Sequence, residues 1–135
     1  MQRLTGSRVL VRVLLGACAA PILAVALTGC DRDERAPLWQ VAGANPRNGP
    51  ALMEKYGCGG CHDVPGVRGA HGTVGPPLHR FGDRLYVAGV LRNDPDNLVK
   101  WIRTPQAVVP GNAMPDLGVS AQDARDIAAY LYTLR

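Results

Sequence analysis

Aromatic side chains are scarce in this sequence, with seven in 135 residues and a single phenylalanine. A small domain with so few large side chains cannot fill a core from its own atoms, so a disulfide, a metal or a cofactor has to supply the missing bulk. Long apolar runs are lacking too. Val13 to Leu27 is uncharged for fifteen residues and broken by Pro21, short of the roughly 20 that a membrane-spanning helix needs. The formal charge of +4 shrinks on inspection, because Arg3, Arg8 and Arg12 face no acid before residue 30. Beyond that point twelve basic residues meet eleven acidic ones. Without a basic stripe or an aromatic platform, nucleic-acid binding is excluded. No stretch alternates convincingly as a strand, and no acid pair, nucleophile arrangement or phosphate-cradling loop stands out.

What is present begins with an export pattern. The arginines of residues 1–12 followed by the Ala/Leu/Val run form the n-region and h-region of a secretory signal. "LTGC", ending at Cys30, resembles the bacterial lipobox, in which cleavage before the cysteine is coupled to acylation of its thiol. "LGAC", ending at Cys18, is the weaker candidate because Arg12 interrupts the apolar run before it. Asp31 after Cys30 resembles the signal that retains some lipoproteins in the inner membrane. The expected organisation is a signal over 1–29, a lipidated Cys30 and flexible tether over 30–48, and a folded domain over 49–135. A coil of about 18 residues spans roughly 20 to 25 Å. Trp39, within the tether, has two readings: a lipid-interface contact, or a residue docked on the domain.

Three helices are expected in the domain. "GPALMEKYG" starts with Pro50 in its first turn, turns Ala51, Met53 or Leu52, and Tyr56 to one side, and ends at Gly57. "NDPDNLVKWIRTP" is capped by Asn93 or Asp94, opens on Pro95, aligns Leu98, Trp101 and Ile102, and stops at Pro105. "SAQDARDIAAYLYTLR" starts at Ser120 with Asp123 three residues on, then places Ala124, Ile127, Ala128 and Leu131 at helical spacing. Glycine is dense from 57 to 75, which makes that segment loop. The expected class is all-α.

That loop holds "CGGCH", in which Cys58, Cys61 and His62 fall within five residues. A structural zinc site wants four ligands, and His71 and His79, eight residues apart in a Gly/Pro loop, complete one only irregularly. A thioredoxin-like pair follows a strand, and none precedes Cys58. An incidental structural disulfide leaves the histidine unexplained. Covalent haem attachment gives every member a separate role, since the thiols add to two porphyrin vinyl groups and His62 is carried under the iron as an axial ligand. Gly59 and Gly60 keep the loop compact against the ring edge. An electron carrier then wants a sixth ligand, and a Met sulfur raises the potential relative to a second histidine. Beyond the signal only Met53 and Met114 are available. Met53 lies at a packing position of the first helix, whereas Met114 sits in "VVPGNAMPDLG", between Pro110 and Pro115 and 52 residues past His62. Met114 is the expected sixth ligand.

With CGGCH, "GPPL" at Gly75 to Leu78 and "MPDL" at Met114 to Leu117 in this order, residues 49–135 resemble a class I monohaem cytochrome c. The longer run "AGVLRNDPDNLVKWIRTPQAVVPGNAMPDL" is similar to the cytochrome c modules fused to subunit II of caa3-type oxidases. The resemblance implies three main helices wrapped around one haem c per chain, with the first and last crossing so that Gly49 and Met53 meet Tyr130 and Leu131. It implies that the Pro76 carbonyl fixes His62 through Nδ1, that Leu78 packs on the haem face, and that Trp101 donates its indole N–H to a propionate. Arg84 is a further propionate partner or a solvated surface charge. Most relatives carry an aromatic at the position of Met53. His71 and His79 read as exposed, neutral side chains, and no copper-binding cysteine pair is present.

The functional expectation is a monomeric electron-transfer protein, not an enzyme. It is lipid-anchored at the periplasmic face of the inner membrane, or the outer face of the cell membrane, and serves redox proteins of the respiratory chain such as a quinol-oxidising complex and a terminal oxidase. The alternatives are the electron-entry subunit of a periplasmic dehydrogenase, a haem with an open sixth site acting on peroxide or a gas, or a fixed structural cytochrome subunit.

Overall fold

The computed structural model describes residues 37–135; the expected signal and Cys30 lie outside them. Four helices occur there. α1 runs Gly49–Lys55, α2 Pro95–Arg103, α3 Pro105–Val108 and α4 Ala121–Thr133. Each of the longer two starts where its first side chain can take an orphan N–H: Asp94 accepts from the Asn97 amide at 3.0 Å, and Ser120 from the Asp123 amide at 3.1 Å. Pro95 follows the cap of α2, where its missing N–H costs nothing. The expected stop at Pro105 is a bend instead: the chain turns at Thr104, and Pro105 opens the short α3.

α4 is the spine. Its buried side, Ala124, Ile127, Ala128, Leu131 and Tyr132, meets Met53 of α1 and Leu98 and Ile102 of α2 in one core. Complete burial of a side chain of this size contributes about 1.5 to 3 kcal/mol. The crossing with α1 is closest at Gly49, where an added Cβ would lie 2.2 Å from Cβ of Tyr130. Only glycine lets the two backbones approach so far. Ala51, expected on the packed side of α1, is exposed; Met53 takes the inward position and Leu52 and Tyr56 flank it.

One feature differs from the all-α expectation and another from the expected tether. Tyr86–Val87 (β1) and Leu91–Arg92 (β2) pair antiparallel, with Tyr86 opposite Arg92 and Val87 opposite Leu91. The three-residue loop between them, Ala88 to Val90, places Ala88 at φ 54° and Gly89 at φ 72°, and the Val90 N–H donates to the Val87 carbonyl at 3.3 Å, a tight turn that suits a hairpin's twist. Strands of two residues are too short to show alternation. The other difference concerns the end of the tether. Asn45 caps a single 3₁₀ turn, Pro46–Asn48, and its backbone N–H donates to Asp126 on α4 at 2.9 Å. Asn48 Nδ2 reaches the second carboxylate oxygen at 2.7 Å, and Gln122 donates to both Asp126 and the Gly43 carbonyl. The folded unit therefore starts earlier than Gly49, because a buried acid on α4 needs these donors. Trp39 is 42% exposed.

A second buried polar group ties the far end of α4 to the start of α2. Asn93, 5% exposed, accepts from the Tyr132 hydroxyl at 3.0 Å and donates to the carbonyls of Phe81 and Arg84. Among the described residues no buried side-chain polar atom lacks a partner. No helix there is long and apolar enough to cross a membrane.

Candidate haem site

The helices leave a cavity of about 510 Å³ between α2, α4 and the two long loops. Its lining is mostly apolar, including Met53, Leu98, Ile127 and Leu131. Cys58, Cys61, His62, Pro76, Leu78, Arg84, Trp101 and Met114 all contribute to the lining. Residues far apart in sequence thus face one space, within the size range of small-molecule sites.

The histidine side is built from main chain. The 3₁₀ turn Cys58–Gly60 ends with His62 N–H donating to the Cys58 carbonyl at 3.0 Å, which brings both thiols and the imidazole to one side. The following strap folds back over it: Gly72 N–H donates to the His62 carbonyl, Gly75 N–H to the Cys61 carbonyl at 2.8 Å, and Leu78 N–H to the Asp63 carbonyl at 2.7 Å. The His62 ring rests on Gly75, where a Cβ would meet Cε1 at 2.3 Å and Nδ1 at 2.7 Å. Nδ1 donates to the Pro76 carbonyl at 2.7 Å. That bond selects the tautomer whose other nitrogen, Nε2, keeps its lone pair for a metal.

Cys58 and Cys61 are both free thiols. Burial, the largest influence on Cys58, pushes its pKa up, and the proximity of Cys61 adds to it, against a smaller downward pull from its own backbone N–H. It stands as a protonated thiol in an apolar wall. Met114 joins the lining from the loop after α3. Two apolar-lined thiols, an imidazole with a free Nε2, a thioether and a glycine cradle under the ring form a donor set that fits haem iron and its vinyl groups.

Arg84 lies in the wall with its guanidinium 5.1 Å above the Phe81 ring, donating to the carbonyls of Pro77 and, at 3.5 Å, His79. Burial lowers its pKa. Trp101 is half-buried at the cavity. The two remaining histidines are not aimed at the cavity. His79 Nε2 is 2.7 Å and His71 Nδ1 3.6 Å from the Asp63 carboxylate, which is held below its usual pKa chiefly by the His79 hydrogen bond. Both are exposed, as expected, but neither is without a partner.

Sequence reasoning missed Gln106 and Asn112, whose amides grip the Met114 loop, and Tyr86 and Val74, which stand exposed at the cavity rim. The only available signal was that both amides lie within eight residues of Met114.

A helical shell around an apolar cavity with CxxCH in its wall is the architecture of small proteins that hold haem through thioether bonds. The Cytochrome c family profile matches residues 46–135, and the chain belongs to the cytochrome c family. That makes the domain an electron-transfer module with covalently bound haem c. It is similar to "Cytochrome c oxidase subunit 2" of Alkalihalophilus pseudofirmus, 40% identical over 88 residues, 64% of this chain and 25% of that protein. The protein of the same name from Bacillus sp. strain PS3 is 43% identical over 70 residues, 50% of this chain and 19% of the relative. That of Bacillus subtilis is 32% identical over 88 residues, again 64% and 25%. The chain therefore spans a quarter or less of these relatives, and the expected likeness to the cytochrome c module of the oxidase subunit is met. No solved structure gives a significant match.

Proposed function

We propose that the protein is a one-electron carrier with a single haem c ligated by His62 and Met114, anchored through a lipid on Cys30. It passes electrons between respiratory partners such as a quinol-oxidising complex and a terminal oxidase. The observation that carries this reading is the convergence of Cys58, Cys61, His62 and Met114 on one apolar cavity. Haem would supply reversible one-electron chemistry at iron. Cys58 and Cys61 would hold it by thioether bonds, each S–H adding across a vinyl double bond, sulfur to one carbon and hydrogen to the other, with no leaving group. Pro76 orients His62; Leu78, Leu98 and Ile127 would exclude water; Arg84 and the Trp101 indole N–H would hold the propionates. A sixth ligand from the protein leaves no coordination site for substrate, which separates a carrier from a peroxide- or gas-reactive enzyme.

The relatives' printed name supports a terminal oxidase as acceptor. Val74, Tyr86 and Leu117, exposed around the cavity mouth, offer a small apolar contact suited to brief docking. The tether and anchor offset weak affinity by holding the domain near a membrane partner.

The deciding experiment is the absorption spectrum of the purified, haem-loaded protein. A weak near-infrared band in the ferric form reports a thioether sulfur on iron, and Met114→Ala should abolish it while leaving the haem covalently attached. A wild-type spectrum without that band, with rapid carbon monoxide binding after reduction, would overturn the carrier reading.

A further inference from the structure

We infer that Gln106 and Asn112 are positioning residues for the Met114 thioether, working as a paired amide clamp on the loop that presents it. The inference rests on the reading of Met114 as an axial ligand.

From Val109 to Ser120 the chain has no helix or strand, and Pro110 and Pro115 contribute no N–H. Something else must fix the loop. Both main-chain polar groups of Met114 go to the two amides: its N–H donates to Asn112 Oδ1 at 2.7 Å, and its carbonyl accepts from Gln106 Nε2 at 2.7 Å. Gln106 also donates to the Asn112 carbonyl at 2.9 Å and accepts from the Gly111 N–H at 3.1 Å. Asn112 Nδ2 donates to the carbonyls of Pro105 at 3.0 Å and Val109 at 2.6 Å.

A side-chain amide has two N–H donors and one carbonyl acceptor. Each of these two amides uses both donors and its acceptor, and every bond goes to main chain in or beside the loop. Turning the Gln106 amide over would set its oxygen against two carbonyls and its NH2 against the Gly111 N–H. The clamp therefore has one working orientation. Gln106 sits in α3, so it hangs the Met114 loop on the α2–α3 corner, whose Ile102 and Pro105 are buried. A methionine on an irregular loop has three side-chain rotors, and the backbone beneath it has to be fixed before the sulfur can hold one position.

The test uses the full, haem-loaded chain. Gln106→Glu is nearly isosteric and keeps the acceptor for Gly111 N–H, but it places a carboxylate oxygen against the carbonyls of Asn112 and Met114. Asn112→Asp keeps the acceptor for Met114 N–H and loses both donated bonds. The readouts are the near-infrared sulfur–iron band and the rate at which added imidazole displaces the sixth ligand, with far-ultraviolet circular dichroism as the check on folding. With the wild-type band present, the expectation is a weakened band and displacement faster by about tenfold or more for Gln106→Glu, which loses two donated hydrogen bonds, each corresponding to a factor of up to roughly ten. The same change, smaller, is expected for Asn112→Asp. If either folded variant keeps both the band and the wild-type displacement rate, the clamp is not a positioning device and the inference is overturned. Should Gln106→Glu fail to fold, Asn112→Asp decides alone; should neither fold, the amides are structural and the inference falls. A wild-type protein whose spectrum does not respond to Met114→Ala overturns the ligand reading itself, which is a different result from a band that ignores the clamp.

Discussion

The two sides of the cavity are built from different materials. The His62 side is held by main-chain hydrogen bonds between residues 58–63 and 72–78, so its shape depends on where the backbone runs. The Met114 side is held by the side chains of Gln106 and Asn112. A wall made of backbone responds to substitution chiefly when a new atom does not fit. A wall made of side chains responds whenever a donor is lost.

The largest effect should come from the thiols. Replacing Cys58 and Cys61 together by Ser removes both attachment points, and the expected outcome is complete loss of haem from the denatured protein in acid–acetone extraction. Next is Gly75→Ala, whose new methyl would occupy the space of the His62 ring. Overpacking of this kind costs about 1 to 3 kcal/mol. It should move the ring off the Pro76 carbonyl, seen as a lowered denaturation midpoint and a raised reduction potential, because an imidazole without that bond donates less to ferric iron. Gln106→Ala, by contrast, introduces no clash and should cost only about 1 kcal/mol in stability while changing the near-infrared band. If Gly75→Ala were as well tolerated as Gln106→Ala, the distinction between the two walls would fail.

Outside both walls, Asn93→Ala would leave the buried Tyr132 hydroxyl without an acceptor, and a loss of about 1 to 3 kcal/mol is expected in chemical denaturation with little change in the spectrum. The smallest effect concerns acid. Burial pushes the Asp126 carboxyl upward, but the Asn45 N–H, Asn48 and Gln122 hydrogen bonds outweigh it, and its pKa lies below the ordinary value. Its contribution is then fully present above the unfolded carboxylate pKa of about 3.9. It is lost as the pH falls through the lower folded value. Asp126→Asn should flatten the acid limb of the stability curve below about pH 4, leaving both walls' spectra unchanged near neutrality.

Much of this was legible in the sequence where residue chemistry is local. Asp94 and Ser120 announce their helices because a cap is made within three residues. Cys58, Cys61 and His62 declare a site because the attachment chemistry dictates their spacing. The β1–β2 hairpin was not legible, since two-residue strands have no period to detect. The helical spacing sets Ala51 on one side with Met53 or Leu52 and Tyr56; Met53 is buried there, whereas Ala51 is exposed. The docking of residues 43–48 depends on Asp126, far along the chain, and nothing local marks it. Gln106 and Asn112 were invisible for a similar reason, because amides that bond main chain leave neither motif nor period.

The bonds from Asn45 and Asn48 to Asp126 span 81 and 78 residues, and this separation has a consequence in time. Contacts so distant carry a large loop-closure entropy and cannot form before residue 126 has been synthesised. Until α4 has been synthesised, α1 has no surface to cross and the cavity lacks Ile127 and Leu131. Cys58 and Cys61 therefore pass through an interval in which their thiols are not yet enclosed. A chain grown from its N-terminus thus exposes these thiols before it can enclose them, which would leave covalent attachment a window between the two.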